Sequence, residues 1–126
     1  MHGVPPPMVE ELRAAIVGRD LEAFGALLAD DVRWGDDDHP RRCRSRADVL
    51  VTFGRLLDQG VGAEITELTE GTSGVLCGLA VQWPAGAERP GDRRLFHTYL
   101  VRDGKIAEIR RYDDRPSAAE AVGIAT

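Results

Sequence analysis

Residues Leu95 to Asp114, LFHTYLVRDGKIAEIRRYDD, constrain the fold more than any other stretch of this chain. Apolar and polar side chains alternate on both sides of Asp103-Gly104. This is the pattern of two half-buried strands joined by a tight turn, where glycine takes a positive φ at low cost. Such a hairpin must lay one face on a core, and its register decides which side chains lie there. A two-residue turn at Asp103-Gly104 sets His97 opposite Arg110. A three-residue loop, Arg102-Asp103-Gly104 with a G1 bulge, sets His97 opposite Ile109 and groups it with Arg111. One residue of slip exchanges the faces of the second strand. Asp-Gly-Lys suits a type I turn followed by a left-handed glycine, so the bulged loop is the preferred reading. His97, Tyr99, Ile109 and Arg111 then share one face. Phe96, Thr98, Leu100, Ile106, Glu108, Arg110 and Tyr112 form the other.

The segments before the hairpin alternate between helical and strand patterns. Met8, Leu12, Ala15 and Ile16 repeat at the spacing of one helical face. Gly18 is placed to end that helix in the left-handed region, and Asp20 to cap the next. Leu21, Phe24, Leu27 and Leu28 continue an apolar stripe until Asp30-Asp31 breaks it, and Val32 to Trp34 reads as a short strand. Gly35 to Arg46 is a loop by composition. Ala47 to Leu57 returns to helical spacing with Ser45 as N-cap. Ala63 to Thr69 alternates as a strand. Val75 to Trp83 is nearly all apolar, as a central strand would be. Ser117 to Glu120 has the form of a capping box, and Gly123 a stop, for a final short helix. Helices come first and strands after, an α+β order.

These blocks, DLEAFGALLADDVRW followed by the LFHTYLVRDGKIAEIRRYDD hairpin, resemble the SnoaL-like branch of the NTF2-like superfamily, over roughly Met8 to Asp114. The resemblance implies an NTF2-like cone, N-terminal helices packed on a strongly curved antiparallel sheet. Residues 1–7 would be a flexible proline-rich lead-in and 8–126 a single domain. The cone implies a pocket on the concave face, walled by Trp34, Phe53, Leu57, Trp83 and Ile109. The outer face of such a sheet commonly pairs with a second copy. Its apolar Phe96, Leu100 and Ile106 make a homodimer the expected assembly.

His97, Tyr99 and Arg111 are the candidate catalytic residues. Histidine is readily tuned for proton transfer near neutral pH. Tyr99 or Arg111 would stabilise a developing enolate. Related cyclases carry a catalytic acid on the last strand, whereas the matching positions here are Ile109 and Arg111. Arginine stays protonated and serves as neither acid nor base. The cyclase mechanism thus fails to carry over at its key residue. More broadly, the resemblance implies an isomerase, cyclase or dehydratase that acts by proton transfer through His97 on an apolar or polycyclic substrate without a cofactor. The alternative is a non-catalytic module that binds a small apolar ligand or a partner.

Several classes are set aside. A net charge of −5 argues against a nucleic-acid binder. No run approaches the roughly 18 apolar residues of a membrane span, and MHGVPPP lacks the features of a signal peptide. Cys43 and Cys77 form no metal framework, and Cys77 reads as a buried thiol, so a reducing, cytoplasmic setting is expected. Asp36-Asp37-Asp38-His39 has oxygen and imidazole donors, yet adjacent residues on an extended loop point apart, so no metal is expected. Neither a nucleophile elbow nor a phosphate-binding glycine loop occurs.

Overall fold

The computed structural model describes residues 4, 7–35, 44–82 and 93–124. Trp83, Cys43, the acidic run at 36–39 and most of the lead-in lie outside them. The elements run α1 (Met8–Val17), α2 (Leu21–Ala26), β1 (Leu28–Trp34), α3 (Arg46–Asp58), β2 (Gly62–Glu70), β3 (Gly74–Gln82), β4 (Arg93–Arg102), β5 (Lys105–Tyr112) and α4 (Arg115–Val122). The strands form one sheet in the order β1-β5-β4-β3-β2. It is mixed rather than wholly antiparallel, because β1 lies parallel to β5. The architecture is the α+β cone that the sequence implied.

The strands curve where the ladder takes an extra residue. Thr66 is bulged between Ile65↔Leu79 and Glu67↔Gly78, and Ala107 between Leu100↔Glu108 and Val101↔Ile106. Bulges bend and twist a strand locally. The second of these also sets the register of the hairpin. Arg102 pairs with Lys105 across a two-residue turn, with Asp103 at φ 52 and Gly104 at φ 79. Two successive positive φ values mark a type I′ turn, whose twist matches the strands. The three-residue loop is therefore corrected to a tight turn followed by a bulge within β5. His97 pairs with Arg111 and Tyr99 with Ile109. The expected face grouping holds, through a different device.

On the concave face, α1, α2 and α3 close over a core of Met8, Leu12, Phe24, Leu28, Val32, Val49, Val75, Tyr99 and Ile109. Two sequence boundaries move. Helix α2 ends at Ala26, and β1 begins at Leu28, ahead of the Asp30-Asp31 pair. Strand pairing of Leu28 with Ile106 overrides the helical stripe there. Gly18 has φ −79, and Arg19 instead takes the left-handed conformation at φ 53.

The other face differs from expectation. Helix α4 starts at Arg115, not Ser117, because Asp114 is its N-cap and accepts from the Ser117 N–H at 2.8 Å. Ala118 and Val122 pack on Leu76, with Phe96, Leu100 and Tyr112 half-buried around them. Arg115 clasps Glu67 through two hydrogen bonds of 2.8 and 2.7 Å, joining α4 to β2. The Ala107 bulge turns Ile106 into the main core, where it is fully buried. The open apolar surface of Phe96, Leu100 and Ile106 is thus taken up largely inside the chain. What α4 leaves open includes the Glu108–Arg110 ion pair.

Candidate functional site: an apolar cavity with one imidazole

A cavity of about 360 Å³ opens between the helices and the concave face. Strand alternation sends Leu79, Val81, Leu95 and His97 inward from β3 and β4, and Arg111 from β5. Trp34 closes one side from the end of β1. Phe53, Leu56 and Leu57 come from α3, Val61 and Ala63 from the entry to β2, and Ile16 and Arg19 from the end of α1. Among the described residues the wall is therefore apolar except for His97, Arg19, Arg111 and the indole N–H of Trp34.

Aromatic contacts hold the wall together. Trp34 stacks obliquely on Phe53 at 5.3 Å between centroids, and Phe53 on Phe24 at 4.6 Å. The His97 ring meets Trp34 nearly edge-on at 5.8 Å and Tyr99 at 6.2 Å. Its rotamer is thereby fixed against two rings rather than by a carboxylate. The Nδ1 atom of His97 is buried and has no hydrogen-bond partner among the described residues. Burial first, and then the nearby Arg111 charge, push its pKa down to about 4. The imidazole is consequently neutral at pH 7, with a lone pair available.

Among the residues expected at the site, His97, Arg111, Trp34, Phe53 and Leu57 line the cavity. Tyr99 and Ile109 share the inner face but lie beneath it, fully buried. The Tyr99 hydroxyl has no partner among the described residues, and burial raises its pKa well above the ordinary value. Trp83 lies outside the described residues. Cys77 faces His97 across the ladder, and burial pushes its thiol up to about 12, so it is an inert core group. Asp114, the carboxylate just beyond β5, is spent on capping α4, and its hydrogen bonds with Ser117 lower its pKa. No cluster of three or more metal-ligating side chains occurs among the described residues.

Several lining residues escaped the sequence reading. Leu79 and Val81 sit in a strand that is apolar on both faces, so alternation gave no signal. Arg19 was hidden by its place in a helix–helix bend, where a charged residue reads as a solvated corner.

No curated protein matches the sequence. The sequence profile of the SnoaL-like domain matches residues 9–109. Among solved structures, a protein from Sinorhizobium meliloti described as a candidate polyketide cyclase superposes with a TM-score of 0.67 at 19% identity, covering 86% of this chain and 95% of that one. A candidate ketosteroid isomerase from Kribbella flavida gives 0.63 at 23% identity, with 93% and 88% covered. An epoxide hydrolase of the LEH-like type from M. tuberculosis gives 0.63 at 20%, with 90% and 87% covered. At these identities the shared property is the fold.

Proposed function

The chain belongs to the SnoaL-like domain family, and we propose that it takes a small, largely apolar molecule into the cavity and shifts a proton on it, with neutral His97 as acceptor. One observation carries this reading. Among the described residues one imidazole, its Nδ1 buried and without a partner, stands in a wall that is apolar apart from it and the two guanidinium groups of Arg19 and Arg111. A carbonyl compound bound there would offer its oxygen to Arg111 and a neighbouring C–H to His97. Charge developing on the oxygen would be stabilised where water is scarce. The names of the solved relatives point to the same broad chemistry, rearrangement or hydration of compact organic molecules, and enter by analogy of fold. No helix among the described residues is long and apolar enough to cross a membrane.

The test uses cyclic ketones in deuterated buffer. Quenching of Trp34 fluorescence should report binding and be lost in Trp34→Phe. Exchange at the carbon next to the carbonyl should be catalysed by the native chain and slowed by roughly 100-fold or more in His97→Gln, the scale of a lost general base. Saturable binding without any exchange would remove catalysis and leave the second reading, a binding module. One observation favours that second reading: the Tyr99 hydroxyl, expected to assist catalysis, does not line the cavity.

Pairing of two copies through the sheet stays in the proposal as a polar contact around Glu108 and Arg110. Light scattering should then give twice 13.7 kDa. A mass of 13.7 kDa across micromolar concentrations removes it.

A further inference from the structure

A chain of net charge −5 walls its cavity, among the described residues, with two arginines and no carboxylate. Like charges facing a shared apolar space repel, so an arrangement of this kind is favoured when something of opposite sign enters. The carboxylates nearest in sequence are otherwise engaged. Asp20 accepts the Ala23 N–H at the start of α2, and the exposed Asp113 accepts a 3.3 Å hydrogen bond from Arg111, so Arg111 is already partly paired and Arg19 is the guanidinium that a ligand would meet first.

Arg19 carries the stronger signal, because its position costs the fold something. It occupies the left-handed region at φ 53, which disfavours every residue with a Cβ and which the adjacent Gly18 would fill cheaply. The end of α1 sets the left-handed residue at 19, where the Arg19 N–H donates to the Ile16 carbonyl at 3.2 Å and the Asp20 N–H to the Ala15 carbonyl at 3.0 Å. The strained position thus falls to Arg19. Its guanidinium reaches β2 beside Gly62, next to the cavity-lining Ala63. Nη2 comes within 3.5 Å of the point a Gly62 Cβ would occupy. Strain held by a residue whose charged end reaches a ligand space is the pattern of a binding group.

We propose that the cavity selects apolar molecules that carry one carboxylate, with the Arg19 guanidinium as the anchor at its mouth and Arg111 as the second positive wall. This rests on the pocket reading above and names its ligand class. The apolar body would lie between Trp34, Phe53 and Leu79, with the anionic end toward the α1–α2 bend. A planar guanidinium suits that end because it can meet both carboxylate oxygens at once.

The experiment compares naphthoate with acetylnaphthalene, which has the same ring and nearly the same shape without the charge. Both are titrated calorimetrically into the native chain, Arg19→Gly and Arg19→Met. Naphthoate should bind the native chain roughly tenfold tighter or better, the scale of a charge-assisted pair, and this preference should shrink with added salt. Both variants should bring the two probes to within about threefold of each other, the loss falling mainly on naphthoate. Arg19→Gly should also raise Tm by roughly 2–5 °C through relief of the left-handed strain, a gain a purely structural arginine would not give. The imidazole of His97 offers a second readout: naphthoate should raise its pKa, as an anion facing Arg111 and His97 would, and acetylnaphthalene should not. If the native chain binds both probes equally, or keeps its preference in both variants, the carboxylate anchor is wrong and the pocket reading survives. If both variants lose Tm and affinity for both probes alike, Arg19 is a structural brace and the proposal fails. If neither probe binds the native chain, the pocket reading falls, and this inference with it.

Discussion

Acidifying the protein from pH 7 to pH 4 should cost the fold up to about 3 kcal/mol through His97 alone, and His97→Gln should not show that share of the loss. The folded-state pKa is about 4 against an ordinary 6.5. Between those values the unfolded chain binds a proton that the folded chain refuses, so stability falls as pH falls. The contribution is complete above pH 6.5 and is lost as the pH drops through the window down to about 4. Burial is the main cause and the Arg111 charge the second; the other groups around the ring, Trp34, Tyr99 and the Cys77 thiol, carry no charge in this range. Glu67 and Asp114 also have lowered pKa values, from their partners Arg115 and Ser117. Their contributions are present above the ordinary carboxylate range and vanish at lower pH, equally in both proteins. Taking the difference between native and His97→Gln denaturation midpoints therefore isolates the imidazole. A difference of roughly 2 kcal/mol or more should develop between pH 7 and pH 4, on the order of 5–10 °C in Tm for a domain of this size. A flat difference would mean a solvated ring, and both the neutral base and the apolar cavity would go with it.

The same ring shows how far the sequence could be read. The choice of a three-residue loop placed His97 and Arg111 on one face, and the observed two-residue turn keeps that grouping because the extra residue at Ala107 restores the parity. What alternation could not give was the device. Asp-Gly fits both a G1-bulged loop and a type I′ turn, and the deciding residue is Ala107, which carries no local signal for a bulge. The direct partner of His97 was therefore misassigned as Ile109, and Ile106 was put on the wrong face. Helix α4 shows a similar limit. Ser117 and Glu120 look like a capping box, yet Asp114 followed by Pro116 makes the better start, since Asp114 accepts from Ser117 and proline at the first turn lacks only a hydrogen-bond donor that has no helical partner. That shift of three residues in the cap brings Arg115 within reach of Glu67 and covers part of the sheet face assigned to a second copy. The pocket wall divides the same way. Trp34, Phe53 and Leu57 were legible as aromatic or helical-face residues, whereas Leu79, Val81 and Arg19 depend on how strands far apart in sequence curve toward one another.

Tyr99→Ala should cost about 4 kcal/mol, while Tyr99→Phe should leave stability unchanged or raise it by up to about 1 kcal/mol. The ring is fully buried, near Phe24 at 6.4 Å and His97 at 6.2 Å between centroids, so its truncation opens a large void under the cavity floor. Its hydroxyl is a different matter. With no partner among the described residues, the O–H has given up its hydrogen bonds to water without replacement, and removing it relieves that cost. The pair of variants also separates two roles for this residue. A tyrosine that donated to a substrate oxygen would lose most of any proton-transfer rate as phenylalanine, at unchanged or improved stability. A tyrosine that only supports His97 from below would keep the rate in Tyr99→Phe and lose it in Tyr99→Ala, where the imidazole loses the ring against which it packs. The buried position beneath the lining predicts the second pattern. Denaturant unfolding beside the ketone exchange assay measures both quantities on the same samples. A destabilisation near 2 kcal/mol in Tyr99→Phe would show that the hydroxyl is hydrogen-bonded in the folded chain. A rate loss with no loss of stability would put Tyr99 in contact with the substrate and the cavity floor deeper than the present geometry places it.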